Sequence, residues 1–307
     1  MIITGRDYEH TLAIPRTEDA PIRYQPVELG PVIQTILKGE PFDAAEFTLA
    51  GYIILHARGG LDFTALPIFP ARSFFHSCLW VRHDSPLCSL DDLSGRRIGL
   101  RDYSSTTSVW FRGHLKAHHG IDWRANTWVV GPNRRFPPPP EADVVAADGD
   151  LEDLLVGGDI DLFFSVRVRD QKKPLPERAL RPLLPDPQGA EADYYRQTGR
   201  FPLLHVVILA RAAAAKDPQA VDAIVGLFEQ AKRSALQRKL GSTFLPWGEA
   251  RWNSTMALFG GDPMPYGLTP ENRAAIETLI DYLHDQRLIS HRPDVDDLFQ
   301  PANAMAR

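Results

Sequence analysis

The sequence predicts an α/β fold with largely parallel sheets, divided into two lobes. Three observations carry this. Short apolar strands alternate with helical patterns through most of the chain. The 307 residues, 44% of them hydrophobic, can bury a substantial core and suit two compact lobes better than one. The strand and helix pattern also restarts near residue 83.

In order, "PVIQTILKG" opens a helix with Pro31 at its first position, turns Val32, Ile33, Ile36 and Leu37 inward and stops at Gly39. "FDAAEF" reads as a strand, "TLAGYIILHA" as a helix and "FTALPIF" as a strand, which together make a βαβ unit. The second half of "PIFPARSFFHSCLWVR" is a buried strand. "SLDDL" is a short capped helix, "RRIGL" a strand, "YSSTTSVWFRGHLKAHHG" a turn entering a helix, and "NTWVVG" a strand. The four consecutive prolines of "GPNRRFPPPPEAD" forbid helix or central strand and mark a surface loop. "LEDLLVGGDIDLFFSV" gives a helix closed by glycines and then a strand, and "FPLLHVVILA" gives another strand. An amphipathic helix follows with Val221, Ile224, Leu227, Phe228 and Ala231 on one face. Near the end, Thr269 caps a helix that begins at Pro270 and turns Ile276, Leu279, Ile280 and Leu283 inward. The expected lobes are residues 1–82 plus 205–307 and residues 83–204, with the chain crossing near "CLWVR" and "FPLLH" and a ligand cleft between them.

A net charge of -5 gives no general attraction to nucleic acid or to an anionic membrane. "MIITGRDYEHT" carries three charged residues and no signal-peptide core, and no window has the apolar length of a membrane span, so a cytoplasmic protein is expected. Cys78 and Cys88 fit reduced thiols. No phosphate-binding loop, dinucleotide fingerprint or C-x-x-C pair is present, and a homo-oligomer is compatible with the sequence.

Candidate site residues follow from chemistry and placement. Arg72 and His76, four apart, share one side of an extended chain and could grip a carboxylate and exchange a proton beside it. The alternative is an ordinary ion pair and a histidine donating to a carbonyl. Ser105, Thr106 and Thr107 stand where a loop enters a helix, an end that attracts anions, with Arg112 one to two turns further on; most such starts are simple caps. His205 lies in an apolar strand and must be satisfied internally or face a cavity. Glu46 and Asp7 are carboxylates at strand exits, a usual site position that helix caps also occupy. His114 and His118 have zinc-compatible spacing, but no third ligand pattern accompanies them, so no metal is expected.

The ordered blocks "GRDYEHT", "FDAAEFTLAGYI", "FPARSFFH", "VWFRG", "GDIDLFFSVR", "FPLLH", "LPW" and "PYG" followed by "NR" resemble the 4,5-dihydroxyphthalate decarboxylase family over nearly the whole chain. The likeness implies a two-lobed fold like that of type 2 periplasmic binding proteins, with mixed sheets and a ligand cleft. It also implies that Arg72, His76, Thr106, Arg112 and His205 lie near that cleft, and Tyr266 of the "PYG" block joins them as a substrate-binding residue.

The implied reaction is decarboxylation of a hydroxylated aromatic dicarboxylate, from a 4,5-dihydroxyphthalate-like to a protocatechuate-like compound, without a cofactor. Loss of carbon dioxide leaves an aryl carbanion, so an acid must reach the ring carbon, while a hydroxyl para to the leaving group supplies electron density. His76 or His205 would deliver the proton, with Glu46 or the other histidine engaging the catechol hydroxyls. Arg72, Arg112 and the helix end would hold the carboxylates. The alternatives are a solute-binding protein or sensor for a small carboxylate, and another lyase resembling menaquinone-pathway enzymes.

Overall fold

The computed structural model describes residues 1–132, 135–240 and 246–300; Arg134 of the proline-rich loop and Leu245 of the "LPW" block lie outside them. The elements are β1 (Ile2–Gly5), β2 (Arg23–Pro26), α1 (Leu29–Leu37), β3 (Ala44–Thr48), α2 (Leu49–Arg58), β4 (Phe63–Leu66), β5 (Leu79–Arg82), β6 (Arg97–Leu100), α3 (Thr106–His119), β7 (Thr127–Val130) and β8 (Val144–Ala146). They continue as α4 (Leu151–Gly157), β9 (Leu162–Phe164), β10 (Leu180–Pro182), α5 (Pro187–Thr198), β11 (His205–Ala210), α6 (Arg211–Lys216), α7 (Ala220–Leu240), α8 (Gly248–Phe259), α9 (Pro270–Asp285) and α10 (Val295–Leu298).

The chain forms two units. The first comprises Met1–Arg72, Leu203–Ile276 and the segment from Pro293, and the second comprises Ser73–Pro202 and Glu277–Arg292. The divisions expected after residues 82 and 204 therefore move. β5 pairs with both β9 and β10, so residues 73–82 belong to the second unit. The chain changes unit four times, because the latter part of α9 packs on α3. There Tyr282 meets Trp110 edge-on at 5.5 Å, and a Cβ on Gly113 would lie 2.2 Å from the Tyr282 ring, so only glycine admits this approach.

Unit 1 holds a five-stranded sheet, β2-β1-β3-β11-β4, in which β1 runs parallel to β2 and β3 while β11 is antiparallel to β3 and β4. Its core gathers Ile3, Tyr24, Leu66, Val207 and Leu209 with Ile224, Val225 and Phe228 of α7. Central strand β3 is buried at all five residues, and Thr48 at its end caps α2 by accepting from the Gly51 amide at 3.2 Å. Unit 2 holds a six-stranded sheet, β10-β5-β9-β6-β7-β8, parallel from β9 to β8 and antiparallel at β5 and β10. Both sheets are mixed, more so than the alternation of strands and helices predicts. One helix start also differs: α1 opens at Leu29, which puts Pro31 at its third residue. No helix among the described residues is long and apolar enough to cross a membrane.

Candidate functional site

Glu46 and His205 come together in unit 1 because β3 and β11 are hydrogen-bonded neighbours, with Val207 opposite Glu46 and His205 opposite Thr48. Glu46 is 2% exposed, and both carboxylate oxygens are occupied. Oε1 lies 2.5 Å from His205 Nδ1 and accepts from the Tyr8 hydroxyl at 2.7 Å, while Oε2 accepts from the Arg6 amide at 2.8 Å. Gly5 makes this possible: a Cβ there would sit 2.3 Å from the Tyr24 hydroxyl oxygen and 3.1 Å from Glu46 Oε2. The Tyr24 hydroxyl in turn donates to the Arg6 carbonyl at 2.7 Å, fixing the turn that carries the amide.

Burial alone would raise the Glu46 carboxyl, but the hydrogen bond and charge of His205, with the Arg6 amide and the Tyr8 hydroxyl, outweigh it and hold Glu46 below its ordinary range. Glu46 is therefore a carboxylate and can only accept, which places a proton on His205 Nδ1 and leaves Nε2 as the nitrogen for exchange. The His205 side chain is 19% exposed. Burial, followed by the Glu46 charge, raises the Tyr8 hydroxyl, so Tyr8 stays a donor. His10 stacks on Tyr8 with ring centroids 5.0 Å apart, and its Nε2 lies 3.0 Å from the Pro70 carbonyl oxygen.

The other expected residues stand differently. Arg72 and His76 do not share a strand: Arg72 bridges Leu203 in unit 1, whereas His76 opens a 3-10 turn in unit 2, so the extended spacing argument fails between them. Arg72 donates to Asn272 Oδ1 at 2.9 Å and to the Pro265 carbonyl, tying the "PYG" turn in place. Asp7 pairs with Arg16 at 2.6 Å on the surface and does not join Glu46. Tyr266 is a core residue, edge-on to Phe228 at 6.3 Å and 4.2 Å from the Lys232 ammonium. Ser105 caps α3 by accepting from the Ser108 amide at 3.3 Å, Thr107 lies 3.2 Å from the Ser105 hydroxyl oxygen, and Thr106 is buried.

Arg112 was expected to hold a carboxylate, yet it is fully buried. It donates to Gln286 Oε1 at 2.8 Å and to the Tyr103 carbonyl at 2.7 Å, with its guanidinium 3.7 Å from the centre of the Tyr103 ring. It braces α3 against its neighbours.

His76 sits in a histidine cluster, and none of the ion pairs among the described residues includes it. Its ring is 5.1 Å from His114, which is 4.6 Å from His118 and 5.2 Å from His119 and Tyr194. Burial, then the charges of His119 and His118, pushes His76 down to about 4, and burial pushes His114 down to about 2, so both are neutral at pH 7. His76 Nδ1, both His114 nitrogens and the Tyr194 hydroxyl are buried without a partner among the described residues. No group of three histidine, cysteine, aspartate or glutamate side chains among those residues is arranged to hold a metal.

Sequence reasoning missed Tyr8, His10 and the Arg6 amide as supports of Glu46. They lie inside "GRDYEHT", but only the β1–β3 pairing shows that this turn closes over Glu46.

Residues 16–132 match a family model described as the periplasmic substrate-binding protein of a phosphonate ABC transporter. A 4,5-dihydroxyphthalate decarboxylase of Comamonas testosteroni is 31% identical over 279 residues, 85% of this chain and 83% of that protein. One of Pseudomonas putida is 32% identical over 168 residues, half of this chain and 64% of its own length. Among solved structures, the periplasmic aliphatic sulphonate binding protein of Escherichia coli superposes with a TM-score of 0.62 at 14% identity, covering 99% of this chain and 92% of its own. The fold is that of periplasmic binding proteins.

Proposed function

Because the chain belongs to the 4,5-dihydroxyphthalate decarboxylase family, we propose that it removes carbon dioxide from a hydroxylated aromatic dicarboxylate through the Glu46–His205 pair and without a cofactor. The observation that carries this reading is the 2.5 Å contact between a buried carboxylate and a partly exposed imidazole. Glu46 fixes the ring and the Nδ1 proton, and His205 delivers a proton from Nε2 to the ring carbon bearing the leaving carboxylate. The electron pair of the breaking C–C bond becomes the new C–H bond, and carbon dioxide leaves neutral. A substrate hydroxyl para to that carbon supplies electron density, and the same imidazole can recover its proton from solvent or from that hydroxyl.

Arg6, whose amide holds Glu46 and whose side chain is exposed, is a candidate grip for the retained carboxylate. Arg72 and Arg112 serve protein acceptors, so neither is assigned that role.

Incubation with 4,5-dihydroxyphthalate, following carbon dioxide and protocatechuate, tests the proposal. Stoichiometric release of both is the expected result. The match to a substrate-binding family model supports a second reading as a solute-binding protein. Saturable binding without any product would favour that reading.

A further inference from the structure

We propose that a cavity at the carboxyl ends of β6 and β7, walled by edge strand β8, binds one neutral, planar aromatic ring carrying a hydrogen-bond acceptor, independently of the function proposed for Glu46 and His205. The cavity measures about 140 Å³ and is lined by Asp102, Tyr103, Val130, Phe136, Pro138 and Val144, all of unit 2. A cavity of roughly 150 Å³ with apolar walls is known to take one benzene ring, so a single ring fills this volume. The carboxyl ends of parallel strands are also where ligands of open α/β sheets lie.

Chemistry narrows the occupant. Tyr103 is 2% exposed, and its hydroxyl finds no hydrogen-bond partner among the described residues. A buried donor left unpaired is costly, and in native proteins such groups have a partner that binding supplies. Burial raises the Tyr103 hydroxyl, so it stays protonated and asks for an acceptor. The charge of the one acid in the wall is paired: Asp102 Oδ1 accepts from the Ser104 amide and hydroxyl, both at 2.8 Å, and Oδ2, which accepts no hydrogen bond among the described residues, forms an ion pair with Arg135 Nε at 3.0 Å. With that charge paired, the site favours neither cation nor anion. The Arg112 guanidinium, 3.7 Å from the Tyr103 ring centre and held by Gln286, fixes the phenol ring.

Titration calorimetry on the full chain with benzonitrile and its near-isostere phenylacetylene tests this, since both fit but only the nitrile nitrogen accepts well. The expected result is saturable binding of both, with benzonitrile roughly three- to tenfold tighter, the worth of one neutral hydrogen bond. Tyr103→Phe should keep the ring and erase that preference. Val144→Phe, or Ala146→Phe at an exposed edge position if the former fails to fold, should weaken both ligands at least tenfold, with circular dichroism unchanged. His205→Asn should leave both isotherms as they are. No saturation of either compound, a nitrile preference that survives Tyr103→Phe, or binding lost in His205→Asn overturns the proposal.

Discussion

The two histidine sites of this chain make opposite use of the same side chain. In unit 1, one imidazole is held by a buried carboxylate whose remaining capacity is filled by a tyrosine hydroxyl and a backbone amide. In unit 2, His76, His114 and His118 pack against one another and against Phe75 and Tyr194, and His76 Nδ1 and both His114 nitrogens have no partner among the described residues. Burial without a partner disfavours the charged imidazole, and burial dominates at His76 and His114. Glu46 accepts from His205 and fixes its ring, whereas burial pushes His76 down to about 4.

The largest effect expected from breaking this contrast is on catalysis. Glu46→Gln removes the charge beneath His205 and puts an amide where Tyr8 and Arg6 both donate, so turnover of 4,5-dihydroxyphthalate should fall on the order of a hundredfold. Steady-state kinetics over pH checks this, and an unchanged rate and pH profile would remove Glu46 from the reaction.

Stability should respond to acid through the other site. His76 binds its proton below its ordinary 6.5 in the folded chain, so the unfolded chain takes up that proton first as pH falls. The contribution is therefore complete above about pH 6.5 and is lost between there and about pH 4, on the order of 3 kcal/mol. Denaturant unfolding across this range should show the loss, reduced in His76→Gln. A smaller effect follows from His114, whose two nitrogens are unpaired: His114→Phe should be neutral or stabilising by about 1 kcal/mol at pH 7, because it removes a buried polar group without a partner. Smallest is Asp7→Asn, which breaks a surface pair with Arg16 whose carboxylate is 53% exposed and should change stability by less than about 0.5 kcal/mol.

Local order was legible in the sequence wherever it rests on short-range signals. The "FDAAEF", "TLAGYIILHA" and "FTALPIF" segments form β3, α2 and β4, and Thr269 caps α9, accepting from the Asn272 amide at 3.2 Å. What escaped depends on partners far along the chain. Arg112 meets Gln286 across 174 residues, Tyr8 meets Glu46 across 38, and nothing in the neighbourhood of either signals its partner. Arg72 and His76 misled for a related reason: the chain leaves one unit for the other between them, so proximity in sequence stopped implying a shared surface. The short edge strands β8 and β10, three residues each, carry too little pattern to read.

Replacing the two histidines separately tests the assignment most directly. With 4,5-dihydroxyphthalate at saturation, His205→Asn should lower protocatechuate formation by about a hundredfold or more, while His76→Asn stays within roughly threefold of the unmodified chain. A His205→Asn variant that forms product at the original rate, or a His76→Asn variant that forms none while remaining folded, contradicts the account.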